Sequence, residues 1–137
     1  MSNVLLPDLS HASSDVLAQE AVKILLEHKA RAVSMFCVKE KSAITDYYIN
    51  VTAGSTTQVA ALADILDEKM SRRGCSARRI EGRRENTWLL VDYGDLIVNV
   101  FVREARDFYD LDRLFSEGDK VDITPYLDEV NQKLGVQ

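Results

Sequence analysis

The sequence predicts an α/β domain of the α+β kind, in which a small mixed β-sheet of about five strands is flanked by helices. Amphipathic helical patterns alternate along the chain with short segments rich in β-branched and aromatic residues, and this alternation is typical of that class. Residues 88–101 are almost continuously apolar, as expected of central strands that are covered on both faces. The 137 residues are enough for one domain with a sizeable core.

The first third of the chain predicts a helix followed by two strands. Residues 15–30 have apolar side chains at helical spacing, and either Ser13 or Ser14 can cap the first turn. Residues 31–38 and 46–52 are rich in β-branched and aromatic side chains, which favour strands.

A second helix is expected after the second strand. Ser55, followed three residues later by Gln58, matches a capping box, and Gly54 just before it can end the strand. Gly74 is placed to end this helix in the left-handed conformation. The buried stripe is expected to consist of Val59, Leu62, Leu66 and Met70. A return strand, "CSARRI", would complete a strand, helix and strand unit.

The stretch "WLLVDYGDLIVNVF" predicts a hairpin with a short loop. Tyr93 and Gly94 can form a two-residue loop in which the glycine adopts a positive φ. Asp92 and Asp95 flank this loop, and two interpretations are open. They are turn residues whose carboxylates bind turn amides, or they are catalytic carboxylates that bind a metal.

The segment after the hairpin, "REARDFYDLDRLF", predicts one or two helical turns. Its apolar side chains Phe108, Leu111 and Phe115 are expected on the inner side. Thr124 and Pro125 predict the cap and first residue of a last helix. The expected organisation is a flexible segment at 1–14, a core domain at 15–115, and an acidic linker with a C-terminal helix at 116–137.

Composition narrows the class of protein. No apolar run approaches the roughly 18 residues of a membrane helix, and the first residues do not resemble a secretory signal, so a cytoplasmic protein is expected. Cys37 and Cys75 match neither a zinc site nor a redox pair, and no metal or cofactor is expected. Residues 71–85 carry six arginines and a local charge of +4, although the chain as a whole carries −5.

A catalytic alternative is also compatible with the sequence. Nucleotidyl transfer needs carboxylates that converge on magnesium and backbone amides that hold phosphate at a helix start. Gly54 and Ser55 could hold the phosphate, and Asp92 and Asp95 could bind the metal. The segment "TAGSTTQ" lacks the lysine of a phosphate loop, which weakens this alternative.

Three segments in this order, "DYYINVTAGSTTQVAALAD", "RIEGRRENTWLLVDYGDLIVNVF" and "REARDFYDLDRLF", resemble the ribosomal silencing factor family, RsfS, also called Iojap-like. The most specific signatures are the W-x-x-x-D-Y-G-D hairpin and the F-Y-D-L-D-R-L-F ending. The resemblance covers about one hundred residues and implies a nucleotidyltransferase-like fold without demonstrated transferase activity. The sequence departs from the family pattern at Asn99, where histidine is frequent, and at Phe115, where tryptophan is common.

The resemblance also implies a function and a site. Members of the family bind the large ribosomal subunit through its ribosomal protein fourteen, block joining of the small subunit and repress translation, and they are often homodimers. An assembly factor for the large subunit is a further alternative. Carried over by position, the surface that binds the ribosomal protein comprises Trp88, Asp92, Tyr93, Gly94, Asp95, Arg106, Tyr109, Asp110 and Leu111. Contacts with ribosomal RNA are possible for Arg78, Arg79, Arg83 and Arg84.

Overall fold

The computed structural model describes residues 6–110, 113 and 118–135. Within them the helices are α1 (Ser14–Glu27), α2 (Thr56–Arg72), α3 (Arg103–Phe108) and α4 (Thr124–Lys133). The strands are β1 (Arg31–Cys37), β2 (Tyr47–Ala53), β3 (Arg79–Glu81), β4 (Trp88–Asp92), β5 (Leu96–Val102) and β6 (Asp119–Val121). No helix in this part of the chain combines the length and the apolar character that crossing a bilayer requires.

The strands of the described residues form one mixed sheet in the order β3-β4-β5-β2-β1-β6. Strands β2 and β5 run parallel at its centre, and the other neighbouring pairs are antiparallel. The predicted class, a mixed sheet flanked by helices, is confirmed. The sheet has one strand more than the expected five, because Asp119–Val121, which the sequence places in a linker, pairs with the edge of β1.

One face of the sheet packs against α1 and α2 and holds most of the core. Alternate residues of β4 and β5, such as Leu89, Val91, Val98 and Val100, are fully buried there, as the two-residue period of a strand requires. The predicted stripe of α2 is confirmed, since its buried residues are Val59, Leu62, Ala63, Leu66 and Met70.

The caps follow the expected chemistry with one variation. Ser13 accepts a hydrogen bond from the amide of Val16 at the start of α1. Ser55 accepts from the amide of Gln58, but the Gln58 side chain accepts from the amide of Gly54 and not from that of Ser55. Ser55 therefore caps the helix as expected, but the reciprocal bond of the capping box is made to Gly54 instead of Ser55.

The C-terminal helix is packed against the rest of the molecule. Val130 is buried, and Lys23 and Lys133 form ion pairs with Glu129 and Glu27 that join α4 to α1. Ile123, and not Thr124, is the cap of this helix, a shift of one residue. Thr124 instead donates its amide to the side chain of Asp122.

Candidate functional site

The loop of the β4–β5 hairpin lies one residue later than predicted. Asp92 pairs with Ile97, and the amide of Tyr93 donates to the carbonyl of Leu96 at 2.8 Å, so the two loop residues are Gly94 and Asp95. Gly94 has φ +88°, as the first loop position of a tight hairpin requires. Because side chains alternate along a strand, the shift places Tyr93 on the core face.

Asp92 is a turn residue. One carboxylate oxygen accepts a hydrogen bond from the amide of Gly94 at 2.7 Å, and the other pairs with Arg79 at 3.2 Å. This is the turn interpretation of Asp92. Asp95 has an exposed side chain, and its carbonyl accepts the amides of Asp46 and Tyr47 at the start of β2.

Tyr93 is buried between the sheet and α2. Its hydroxyl donates to Asp67 at 3.1 Å, and the same carboxylate oxygen accepts the amide of Ala77 at 2.9 Å. Burial, together with the negative charge of Asp67, raises the pKa of the Tyr93 phenol far above its usual value. Tyr93 therefore holds the hairpin onto α2 from within.

The far end of β4 carries an aromatic group that consists of Trp88, Tyr109 and Phe108. Trp88 is half-buried, and its ring lies 6.0 Å from that of Phe101 and 6.3 Å from that of Tyr109. Tyr109 in turn meets the edge of Phe108 at 4.9 Å. The side chains of Tyr109 and Phe108 are 59% and 80% exposed, so the group runs from the sheet to the surface.

The expectation that Phe108 lies on the inner side of its helix is wrong. Arg106 and Ala105 form the buried side of α3. Phe108 follows Arg106 by two residues, or about 200° of helical rotation, which points its ring into solvent. Leu111 and Phe115, the other two residues expected on the inner side, lie outside the described residues.

Arg106 is a buried structural residue. Its Nη1 donates to the carbonyl of Ala32 at 2.9 Å and to the hydroxyl of Thr52 at 2.6 Å. The guanidinium also lies over the ring of Phe101, 5.5 Å from the centroid. Arg106 thus attaches α3 to the face of the sheet opposite α1 and α2. Asp110 follows α3 with φ +51° and is exposed.

The residues that the sequence assigns to one surface lie in two separate groups on the sheet. Asp92, Tyr93, Gly94 and Asp95 lie at the turn, whereas Trp88 lies at the other end of β4, roughly 13 Å away at the usual rise of a strand. Trp88 and Asp92 share a face, because they are four residues apart. Trp88 and Tyr109 are both predicted site residues, and the fold places their rings close together.

The catalytic alternative requires residues that the fold keeps apart. Gly54 and Ser55 follow the last residue of β2, and the loop at Gly94 and Asp95 lies beside its first residue, Tyr47. The length of this seven-residue strand, roughly 20 Å, separates the two. No group of three or more possible metal ligands occurs among the described residues.

The four arginines assigned to possible RNA contacts have different surroundings. Arg79 pairs with Asp92, and Arg83 pairs with Asp64 on α2. Arg78 lies over the turn, since a side chain at Gly94 would meet its guanidinium. All four, including Arg84, are exposed.

Sequence reasoning missed a buried polar pair on the face that carries Trp88. Trp88 donates its indole N–H to Asn99 at 3.0 Å, and Asn99 donates to Asn50 at 3.1 Å. Asn99 stands out in the sequence as a polar residue in an apolar strand, but Asn50 does not. The parallel register that brings the two side chains together is a property of the folded sheet.

Comparison with known proteins places this fold and hairpin in a family. A family model described as "Ribosomal silencing factor during starvation" matches residues 11–135, which include β6 and α4. The chain belongs to the ribosomal silencing factor family. The ribosomal silencing factor of Halalkalibacterium halodurans is 32% identical over 111 residues, which are 81% of this chain and 95% of that protein.

Two further relatives show the breadth of the ribosomal silencing factor family. The factor of Haemophilus influenzae is 36% identical over 64% of this chain and 86% of its own length. A mouse protein named "Mitochondrial assembly of ribosomal large subunit protein 1" is 26% identical, and the match covers 69% of this chain and 43% of that protein. A crystal structure from Chromobacterium violaceum superposes with a TM-score of 0.72 at 27% identity, covering 80% of this chain and 91% of that one.

Proposed function

We propose that this protein binds the large ribosomal subunit through its ribosomal protein fourteen, blocks joining of the small subunit by occlusion and so represses translation. Membership of the ribosomal silencing factor family supports this function. We also propose that it acts in the cytoplasm, as a homodimer, without a cofactor and without catalysing a reaction. Steric occlusion requires only a surface that binds tightly enough to compete with the small subunit.

The aromatic group supports a protein partner and is the observation that carries the proposal. Exposed, contiguous aromatic side chains are unusual on a free surface and frequent at the centre of protein interfaces. Phe108 and Tyr109 form one wall of a cleft of about 590 Å³ whose rim includes the acidic residues Glu85 and Glu104. A partner with an apolar anchor and basic neighbours would fit this surface.

The residues assigned to the ribosomal surface differ in exposure, and some of them are buried. Tyr109, Asp110 and Asp95 are exposed, and we propose that they touch the partner. Trp88 supports Tyr109 from below, whereas Tyr93 and Arg106 act through the elements they hold in place. Contacts with RNA phosphates beside the protein contact would come from the four exposed arginines, Arg78, Arg79, Arg83 and Arg84.

Sedimentation of purified ribosomal subunits, mixed under joining conditions with and without the protein, tests this function. The wild type should travel with the large subunit and reduce the fraction of joined ribosomes. The double variant Phe108→Ala, Tyr109→Ala should bind at least about tenfold more weakly, since exposed aromatic anchors account for much of the affinity of an interface. A parallel binding assay with isolated ribosomal protein fourteen identifies the partner.

Ile44→Ala is the matched control, because Ile44 is an exposed apolar residue outside the aromatic group, 74% accessible to solvent. It should bind and inhibit joining like the wild type. Failure of the wild type to bind the large subunit would refute the function. Normal binding by the double variant would refute the aromatic contact alone.

A role in assembly of the large subunit is a second candidate, and the name of the mouse relative favours it. An assembly factor would bind precursors of the large subunit in preference to mature ones. Quantifying the protein across gradient fractions of cell extract distinguishes the two candidates. Enrichment on mature large subunits supports silencing, and enrichment on immature particles supports assembly.

A further inference from the structure

The sheet face opposite α1 and α2 carries a row of polar side chains across three strands. Asn99 on β5 pairs in register with Asn50 on β2, and Asn50 pairs with Ser34 on β1. Residues paired in register place their side chains next to one another on the same face of a sheet. The two asparagines are fully buried, and Ser34 is the end of the row nearest the edge of the sheet.

Hydrogen bonds run along this row in one direction. Trp88 donates to Asn99 Oδ1, and Asn99 Nδ2 donates to Asn50 Oδ1. Within the described part of the chain, Asn50 Nδ2 and Ser34 Oγ are buried and make no hydrogen bond. Most buried polar atoms in native proteins have a partner, so this end of the row is suited to an additional acceptor.

Ser34 lines a cleft of about 580 Å³ that is rich in positive charge. Three of its other described lining residues are Arg106, Arg113 and Lys120, and none of the described lining residues is a carboxylate. An adjoining cleft shares Ser34 and Lys120 and includes Asp122, whose carboxylate accepts the amide of Thr124. The charge at the cleft is opposite in sign to the net charge of the chain.

The backbone beside the cleft is irregular and held in place. The register of β1 shifts between Arg31 and Ser34, and Ala32 has φ +48°, a conformation rare for residues other than glycine. Arg106 donates to the carbonyl of this same residue. Strained backbone persists where surrounding contacts enforce it and is frequent at binding sites.

We propose that this cleft binds a phosphate group. Lys120 would contact its oxygens, and Arg106 and Arg113 would supply positive potential. Ser34 would line the floor of the cleft, with the buried amide of Asn50 behind it. Phosphate oxygens accept charge-assisted hydrogen bonds and match both lysine and arginine donors. The group belongs either to a free phosphate or nucleotide or to the backbone of RNA. This site goes beyond the proposed contact with a ribosomal protein.

Nuclear magnetic resonance titration of the full chain tests the site. Amide spectra are followed while sodium phosphate, guanosine triphosphate or a short single-stranded RNA is added at constant ionic strength. Shifts should be concentrated at Ala32–Phe36 of β1, at Arg106 and at Lys120. Shifts with either small probe assign the site to a free phosphorylated ligand, and shifts with RNA alone assign it to an RNA backbone.

Charge variants separate this site from general attraction of anions. Lys120→Gln should weaken binding about threefold or more, the scale of one exposed ionic contact. Lys41→Gln removes the same charge at an exposed position outside the cleft and should leave the affinity unchanged. The proposal is overturned if no probe shifts the cleft amides, or if Lys120→Gln and Lys41→Gln lower the affinity equally.

Discussion

The indole N–H of Trp88 donates a hydrogen bond to the side-chain oxygen of Asn99, at 3.0 Å, while the Trp88 ring lies 6.3 Å from that of exposed Tyr109. The tryptophan therefore connects a buried polar pair in the sheet to the surface aromatic group. The Trp88 side chain belongs to both core and surface, because its N–H is bonded to buried Asn99 and its ring lies near exposed Tyr109.

Trp88→Phe should lower the free energy of unfolding by about 1–2 kcal/mol, because it keeps an aromatic ring but leaves the buried oxygen of Asn99 without its donor. Urea unfolding followed by circular dichroism measures the change, since the variant lacks the single tryptophan needed for fluorescence. In an Asn99→Ala background the same substitution should cost clearly less. Equal costs in both backgrounds would show that the hydrogen bond does not contribute.

Arg106→Met should destabilise the protein by about 3 kcal/mol, because it removes charge-assisted hydrogen bonds to Ala32 and Thr52 in a buried site. Thermal and urea unfolding give the measurement. Arg103→Met, at an exposed position of the same helix, should change stability by less than about 0.5 kcal/mol. Similar losses for the two variants would contradict the structural role of Arg106.

Gly82→Ala should be strongly destabilising, by about 3 kcal/mol or more, since Gly82 has φ +100° and a Cβ there would overlap the carbonyl oxygen of Trp88. Gly135→Ala separates the effect of the positive φ from the effect of the overlap. Gly135 also has a positive φ, but its surroundings are open, so this substitution should cost only about 1 kcal/mol of backbone strain. Comparable losses in urea unfolding would mean that the close approach to Trp88 is unimportant.

Stability should fall in acid through Glu20. Burial opposes ionisation of this carboxyl, but hydrogen bonds from Lys23 and Arg73 outweigh burial and lower the pKa of Glu20. A lowered pKa in the folded state means that the carboxylate stabilises the protein above the unfolded pKa, and that this contribution is lost as the pH falls below about 4.3.

Urea unfolding at pH 7 and pH 3.5 measures this contribution. The difference between the two pH values should be smaller in Glu20→Gln than in the wild type, because the glutamine does not titrate. Glu40→Gln, at an exposed loop position, should keep the difference seen in the wild type. An unchanged difference in Glu20→Gln would mean that the ion pairs of Glu20 contribute nothing.

Val130→Ala should lower the free energy of unfolding by about 1.5–2 kcal/mol, because the Val130 side chain of α4 is buried and the substitution removes two of its methyl groups from the core. Leu127→Ala, on the exposed side of the same helix, should cost less than about 1 kcal/mol. A single unfolding transition that shifts as a whole would show that α4 unfolds together with the domain. A Val130→Ala protein as stable as the wild type would mean that α4 adds little.

Local patterns were sufficient for most of the fold. The caps at Ser13 and Ser55 and the buried stripe of α2 depend on residues three or four positions apart, and the structure confirms them. Of the capping box, only the bond accepted by Ser55 forms as predicted. The hairpin was also evident, but its loop was misplaced by one residue. Tyr93 fits a loop as well as a strand. Burial of its ring, with Asp67 of α2 as hydrogen-bond partner, places it before the loop, directly after β4.

Residues that meet across the sheet could not be predicted in the same way. Phe108 was expected inside because it is apolar, but the hydrogen bonds of Arg106 to β1 and β2 fix the rotation of α3 and turn Phe108 outward. The strand Asp119–Val121 is too short and too charged to show a strand period, and it forms because β1 offers it unpaired backbone groups.

The sequence by itself determined the class of fold, the positions of the helices and central strands, and the family, because these depend on local periodicity and on motifs that are contiguous in the chain. Only the tertiary structure decided that Gly54 and Ser55 lie at the opposite end of β2 from the hairpin loop, and that Ser34, Asn50 and Asn99 form one row. Those relationships depend on strand order and register, which are set by burial of whole sheet faces and not by any single segment.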